Sequence, residues 1–287
     1  MRSFLFVPGD SARKFESAKK TAADALILDL EDSVAPDQKT PARTITRGML
    51  DARKAGQKLY VRVNALDTGL TLADLAAVMP GRPDGIVLPK CAGAADLNRL
   101  ALYLDAFEAA SGIDAESTRI IVVATETAQA VLKLHNYEGA SSRLWGMMWG
   151  AEDLAASLGS SRNRTDGRYH SPFLLARDLC LISAAAAGVV AIDTIATDID
   201  DLAALKDEAV AARRDGFLAK AVIHPKHVDV VNAALTPTDE EVTWARQITK
   251  AFEDNPNSGV VKIDGKMIDK PHLRAAEKIL ALVNPKA

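Results

Sequence analysis

Cysteine is nearly absent from this chain of 287 residues: Cys91 and Cys180 are the only two. Far apart in sequence, they fit neither a disulfide framework nor a zinc site, and a reducing cytoplasm is the expected compartment. Long apolar runs are missing too. The longest, 179–192, falls short of the ~18 residues a membrane span needs and contains Ser183 and Gly188. The opening MRSFLFVPGD has too short an apolar run for a signal peptide. Charge of one sign is also lacking, since 35 basic face 38 acidic side chains for a formal net charge of −3. That balance argues against nucleic acid or an anionic membrane as the partner. No Gly-rich nucleotide fingerprint follows the first strand-like run, which weakens a dinucleotide-binding reading.

What is present is ordinary globular material, 48% hydrophobic and 25% charged. Eight short β-rich apolar runs recur: Phe4–Val7, Ala25–Asp29, Leu59–Asn64, Gly85–Lys90, Ile120–Glu126, Leu144–Gly150, Val189–Ile195 and Lys220–His224. They are continuous rather than alternating, as suits parallel strands covered on both faces. Helical patterns with polar starts lie between them, at 11–21, 42–55, 71–79, 94–111, 128–138, 152–158, 172–187 and 199–214. Eight strand–helix repeats without a composition break predict an α/β fold, a (β/α)8 TIM barrel. An open doubly wound sheet is the alternative. The 62 residues after Pro225 predict a C-terminal helical extension. It comprises a helix capped by Thr238 with Glu241 three residues on, a turn at 255–257, a strand-like run 259–263, an Asp264-Gly265 turn, and a helix over 271–283. The expected division is a catalytic barrel over 1–225 and an extension over 226–287 that acts as lid and subunit contact.

In such a barrel, chemistry sits at the C-terminal strand ends. Those ends carry Asp29, Glu31 and Asp32; Arg62 and Asn64; Lys90; Glu126; Glu152 and Asp153; Asp193; and His224. Carboxylates crowded at one mouth repel unless a cation compensates. Glu126 and Asp153 end neighbouring strands and are placed to share a Mg²⁺, which takes one or two carboxylates plus water and substrate oxygens. Equally, each suits the N-terminus of its own following helix. Arg62, inside an apolar strand, suits either a carboxylate or carbonyl of a substrate or an ion pair with a nearby acid. Lys90 suits a Schiff base or an ion pair with Glu31 or Asp32. His224 is a catalytic candidate or a satisfied strand-end histidine.

Eight segments, in order along the whole chain, carry a resemblance: LFVPGD (5–10), ADALILDLEDSVAPDQK (23–39), VRVNALDT (61–68), VLPK (87–90), ETA (126–128), WGAEDLAASLG (149–159), VIHPKHV (222–228) and IDGKMIDKPHL (263–273). The chain resembles citrate lyase β-subunit-like proteins of the HpcH/HpaI aldolase and citrate lyase superfamily, related to malyl-CoA and citramalyl-CoA lyases. The resemblance implies a Mg²⁺-dependent carbon–carbon lyase that cleaves or forms a 3-hydroxyacyl thioester by retro-Claisen chemistry, with thioester hydrolysis as a possible extension. It assigns Glu126 and Asp153 to the metal and Arg62 to the oxo or carboxylate oxygens of substrate. Asp269 becomes a catalytic carboxylate, delivered to a neighbouring subunit's site in a homotrimer or hexamer. Phe6, Ile223 and His224, with Arg62 and Glu126, become substrate-binding residues, and CoA or a carrier thioester and a small oxo acid the partners. Relatives often carry a basic residue where Ser11 stands, although Arg13 and Lys14 lie close by. Two rival readings are a carrier-dependent or non-catalytic subunit of a citrate lyase complex, and a free-acid pyruvate aldolase.

Overall fold

The computed structural model describes residues 1–283. Backbone contacts divide the chain into two compact units, one over 1–232 and the other from Ala233 onward.

The first unit is a closed barrel of eight parallel strands. They are β1 (Ser3–Pro8), β2 (Ala25–Asp29), β3 (Lys58–Arg62), β4 (Gly85–Leu88), β5 (Arg119–Val123), β6 (Leu144–Met148), β9 (Val190–Asp193) and β10 (Ala219–Val222). A small antiparallel hairpin, β7 (Arg164–Thr165) and β8 (Arg168–Tyr169), interrupts the crossover between β6 and β9. Neighbours pair in sequence order around the ring, β1 closing on β10 through Ser3–Lys220 and Phe4–Ala221. The continuous apolar runs explain the closure. Every residue of β2 and of β4 is buried, one set of side chains facing the axis and the other lying beneath the helices.

The axial layer contains Phe4, Ile27, Tyr60, Val87, Ile121, Met148 and Ile192, with Trp145 packed against it. Its lower part is aromatic, with Phe4, Tyr60 and Trp145 centroids 5.6–6.3 Å apart. Gly85 makes room for that ring cluster, because a Cβ there would stand 2.5 Å from Tyr60 Cε1. Truncating Phe4 to alanine in so closed a layer removes about 3–5 kcal/mol.

Helix boundaries follow the expected pattern at Ala94–Ser111 and Glu152–Leu158. Two elements were not expected. The β7–β8 hairpin is one, and helix Pro225–Leu235 after β10 is the other.

The second unit holds helix Asp239–Glu253, hairpin β11 (Val260–Ile263) and β12 (Lys266–Asp269), and helix Lys270–Val283. Thr238 and Glu241 form the full capping box foreseen from sequence. Asp264 and Gly265 both have positive φ, 48° and 79°, as a two-residue type I′ hairpin turn requires. Ala245, Ile248, Phe252, Val261, Ile268 and Ala276 form its own core.

Candidate active site

A cavity of about 410 Å³ opens at the C-terminal strand ends. Phe6, Arg62, Glu126, Asp153 and Ile223 line it together with Asp29, Asp32, Trp149 and Thr194. Five of the seven singled-out residues therefore meet at one mouth. A second cavity of about 410 Å³ shares Phe6, Pro8 and Ile223 with the first and adds Arg13, Lys14 and His224. Asp269 belongs to the second unit, partly exposed, with Oδ1 2.5 Å from His272 Nδ1. That hydrogen bond holds its carboxyl below the usual range.

Arg62 ends β3 beside the end of β2, in register with Asp29. Its Nε and Nη2 donate to the two Asp29 oxygens at 2.7 and 2.8 Å. Nη1 lies 3.0 Å from Glu31 Oε2 as an ion pair without hydrogen-bond geometry. The guanidinium also stacks over the Phe6 ring, 4.8 Å from its centroid. Burial alone would raise the Asp29 carboxyl, but Arg62, Ser33 and the Glu31 amide outweigh it and hold it low. Arg62 is thus fixed by acids, the ion-pair option, and is also part of the cavity wall.

Glu126 sits three residues beyond β5, just before Thr127, whose hydroxyl caps helix Ala128–Leu132. Gly150 beyond β6 is packed against it, since a Cβ there would meet Glu126 Cγ at 2.9 Å. Thr125 Oγ1 accepts from the Gly150 amide at 2.9 Å, tying the ends of β5 and β6 together. Among the described residues one hydrogen bond reaches the Glu126 carboxylate, from the Lys90 amide at 2.5 Å. Burial pushes its carboxyl up to about 8, and Asp153 and Glu31 push in the same direction.

Lys90 follows β4 and answers the Schiff-base question. Its ammonium is hydrogen-bonded to Glu31 and lies 3.4 Å from Asp153 and 3.7 Å from Asp32. Burial works against that charge, but the surrounding carboxylates outweigh it and keep the amine protonated, which removes its nucleophilicity. Five carboxylates (Asp29, Glu31, Asp32, Glu126 and Asp153) thus share two cations, Arg62 and Lys90.

That donor set fits Mg²⁺. Glu126 and Asp153 supply hard oxygens at a site short of positive charge, and Mg²⁺ uses few protein ligands. Among the described residues no group of three or more His, Cys, Asp or Glu gathers as an all-protein metal cage would require.

Asp193 was placed at a strand end by the sequence, but its partners were not. It accepts from Trp149 Nε1 at 2.6 Å and from the buried Lys220 ammonium at 2.8 Å, with Arg177 Nε 3.5 Å away. The network fixes Trp149, a wall of the cavity, just before the Gly150–Asp153 turn. Ser11 also gains a role, as its hydroxyl caps helix Ala12–Ala18 by accepting from the Lys14 amide.

Comparison with known proteins follows the same lines. The HpcH/HpaI aldolase/citrate lyase family matches residues 2–225. A (3S)-malyl-CoA thioesterase of Cereibacter sphaeroides (strain KD131 / KCTC 12085) is 35% identical over 98% of this chain and 93% of its own length. The citrate lyase subunit beta of Escherichia coli (strain K12) is 34% identical over 98% of this chain and 92% of its own. The crystal structure of CitE from Mycobacterium tuberculosis in complex with magnesium, acetoacetate and coenzyme A superposes with a TM-score of 0.81. It is 34% identical and covers 99% of this chain and 98% of that one. The barrel and its charged mouth define a carbon–carbon lyase class of TIM-barrel enzymes. Within it, this chain belongs to the HpcH/HpaI aldolase/citrate lyase family.

Proposed function

We propose that this protein is a Mg²⁺-dependent lyase that cleaves or forms a carboxylated 3-hydroxyacyl thioester of malyl-, citramalyl- or citryl-CoA type. The products of cleavage are an acyl thioester and a small oxo acid. The observation that carries this reading is the convergence of Glu126, Asp153 and Arg62 on one cavity whose carboxylates outnumber its cations. Glu126 and Asp153 would hold the ion, which when bound polarises the carbonyl and carboxylate oxygens of the oxo acid as a Lewis acid.

The chain's own groups do the rest. Arg62, pinned by Asp29 and Glu31, places a rigid donor fork where oxygen charge develops as the C–C bond breaks. Its stack on Phe6 fixes the plane of that fork. Asp269, delivered by a neighbouring subunit, exchanges a proton with the thioester α-carbon, as acid in cleavage and base in condensation, while Glu31 or Asp32 takes the proton of the substrate hydroxyl as the C–C bond breaks. Phe6 and Ile223 join the two cavities, so the acyl group lies at the mouth while the carrier arm runs past His224 towards Arg13 and Lys14. Those two cations favour the phosphates of CoA over an uncharged thioester arm.

The assignment extends to assembly. It takes the chain as a protomer of a homotrimer or hexamer, with residues 226–287 as lid and subunit contact, and leaves exposed apolar side chains on one barrel helix free to enter such a contact. Leu175 and Ile182 on helix Ser171–Ala186 are 59% and 62% exposed. No helix among the described residues is long and apolar enough to cross a membrane, and a cytoplasmic setting suits the reduced cysteines.

The test is turnover of malyl-, citramalyl- and citryl-CoA by purified protein with Mg²⁺, following both oxo acid and free CoA. At least one substrate is expected to release an oxo acid, with activity lost in EDTA. Free CoA without oxo acid would instead identify thioester hydrolysis, as the name of the Cereibacter relative describes. No turnover in the panel, with Glu126→Ala indistinguishable from wild type, sinks the proposal.

A further inference from the structure

Among the described residues, Lys90 is one of five non-glycine residues in the left-handed region, with φ of 51°. Glycine takes that conformation freely, whereas a residue with a Cβ is strained in it. The turn aims two parts of one residue at the same charged mouth. The backbone N–H donates to Glu126 Oε2 at 2.5 Å. The side chain carries its ammonium to Glu31, Asp153 and Asp32, the last two at 3.4 and 3.7 Å. This ammonium serves three, and one of them is Asp153, while its own amide fixes Glu126.

We propose that Lys90 is the resident counter-ion of the carboxylate mouth, and that it yields Asp153 when the divalent cation enters, so that it sets how tightly the site takes the metal. The proposal rests on the reading of Glu126 and Asp153 as the Mg²⁺ ligands. An ammonium and a divalent cation against the same carboxylate repel each other, and in a partly desolvated site that repulsion is large. The flexible four-carbon stem lets Lys90 withdraw to Glu31, its nearest acid, without unfolding the turn. Held there, it keeps the ion-free mouth from flying apart under its own charge. It also keeps metal affinity lower than the bare carboxylates would give. Lys90 is thus a positioning residue twice over, through its amide on Glu126 and through its charge on Asp153.

The experiment is titration calorimetry with MgCl2 on wild type, Lys90→Met and Lys90→Arg, paired with Tm in EDTA and in Mg²⁺. Lys90→Met is expected to bind Mg²⁺ about tenfold tighter, to melt lower in EDTA, and to gain more Tm from the ion than wild type does. Lys90→Arg keeps the charge and is expected within about threefold of wild-type affinity. Should the methionine variant fail to fold, Lys90→Gln removes the charge while keeping a donor for Glu31 and carries the same expectation. Unchanged or weaker Mg²⁺ binding by the neutral variant, beside a wild type that binds the ion, overturns this inference alone. A wild type that takes no Mg²⁺ overturns the metal reading and this inference with it.

Discussion

Two buried glutamates flank the same strand and are driven in opposite directions. Glu108, 1% exposed on helix Ala94–Ser111, serves the N-terminal end of β5, and Glu126, 4% exposed, follows its C-terminal end. Glu108 accepts four hydrogen bonds, two from Arg143 and one each from the amides of Thr118 and Glu116. Burial alone would raise its carboxyl, but these partners outweigh it and hold it at about 2. Glu126 receives one amide and faces further carboxylates, and burial takes it up to about 8. Burial therefore does not decide the outcome; the partners do. The bottom of the barrel is electrostatically finished, while the mouth is left short of positive charge. That is the division of stability and chemistry between the two barrel faces, written in two side chains of the same type.

The comparison breaks most visibly at Glu126. Glu126→Gln keeps the shape and an acceptor for the Lys90 amide but removes the charge. If the mouth is built for a cation, Mg²⁺ affinity falls and kcat/KM drops by roughly 10³-fold, several kcal/mol of transition-state stabilisation, with Tm in EDTA unchanged or higher. Calorimetry and steady-state kinetics read it. Full activity in this variant would mean the two glutamates differ in nothing that matters to chemistry.

Glu108→Gln is the converse. It removes one of the two carboxylates on the buried Arg143 guanidinium, which is 2% exposed and keeps Asp105, and is expected to lower unfolding free energy by about 2 kcal/mol while leaving Mg²⁺ affinity and kcat per folded molecule alone. Denaturant unfolding and kinetics together check it. A loss of activity without loss of stability would reverse the roles assigned to the two barrel faces.

The pH dependences should also run in opposite directions. Glu108 is depressed from 4.5 to about 2, so its contribution is present above about 4.5 and is lost as pH falls towards 2. Glu126 is raised from 4.5 to about 8, so its neutral form favours the folded state below about 4.5, and that contribution is lost as pH rises through 8. Unfolding of ion-free protein across pH 3–9 checks both. Glu108→Gln should flatten the acid limb and Glu126→Gln the neutral-to-basic limb.

Much of this contrast was legible before the fold. Continuous apolar runs gave the barrel, and the strand ends named Glu126, Asp153 and Arg62. An ion pair of Arg62 with a nearby acid was readable too, but the choice of Asp29 is made by the β2–β3 register. Helix Pro225–Leu235 carried a clear signal that went unread: Pro225 stands at its first position, and His227, Val231 and Leu235 are buried four residues apart. The β7–β8 hairpin carried an unread signal as well: Asp166-Gly167, at φ 49° and 75°, is the same Asp-Gly turn as 264–265, although its two-residue strands show no period. The Asp193–Lys220–Trp149 network and the pairing of Arg143 with Glu108 and Asp105 depend on which helix covers which strand end. Sequence periodicity does not carry that information.

A third carboxylate–guanidinium pair completes the scale. Arg47 and Asp51 sit four apart on helix Lys39–Asp51, with Nε 3.1 Å from both carboxylate oxygens. One N–H is shared between the two oxygens, where Arg143 sets two nitrogens on Glu108, and the side chains are 35% and 55% exposed. Water and salt screen such a pair, and the order of basic before acidic residue is the weaker one on a helix. Arg47→Ala is therefore expected to cost no more than about 0.3 kcal/mol, and less in 0.5 M salt, as measured by denaturant unfolding at two ionic strengths. A loss approaching that of Glu108→Gln would show that contact distance alone fixes the worth of these pairs, and the contrast between mouth and base would then need another cause.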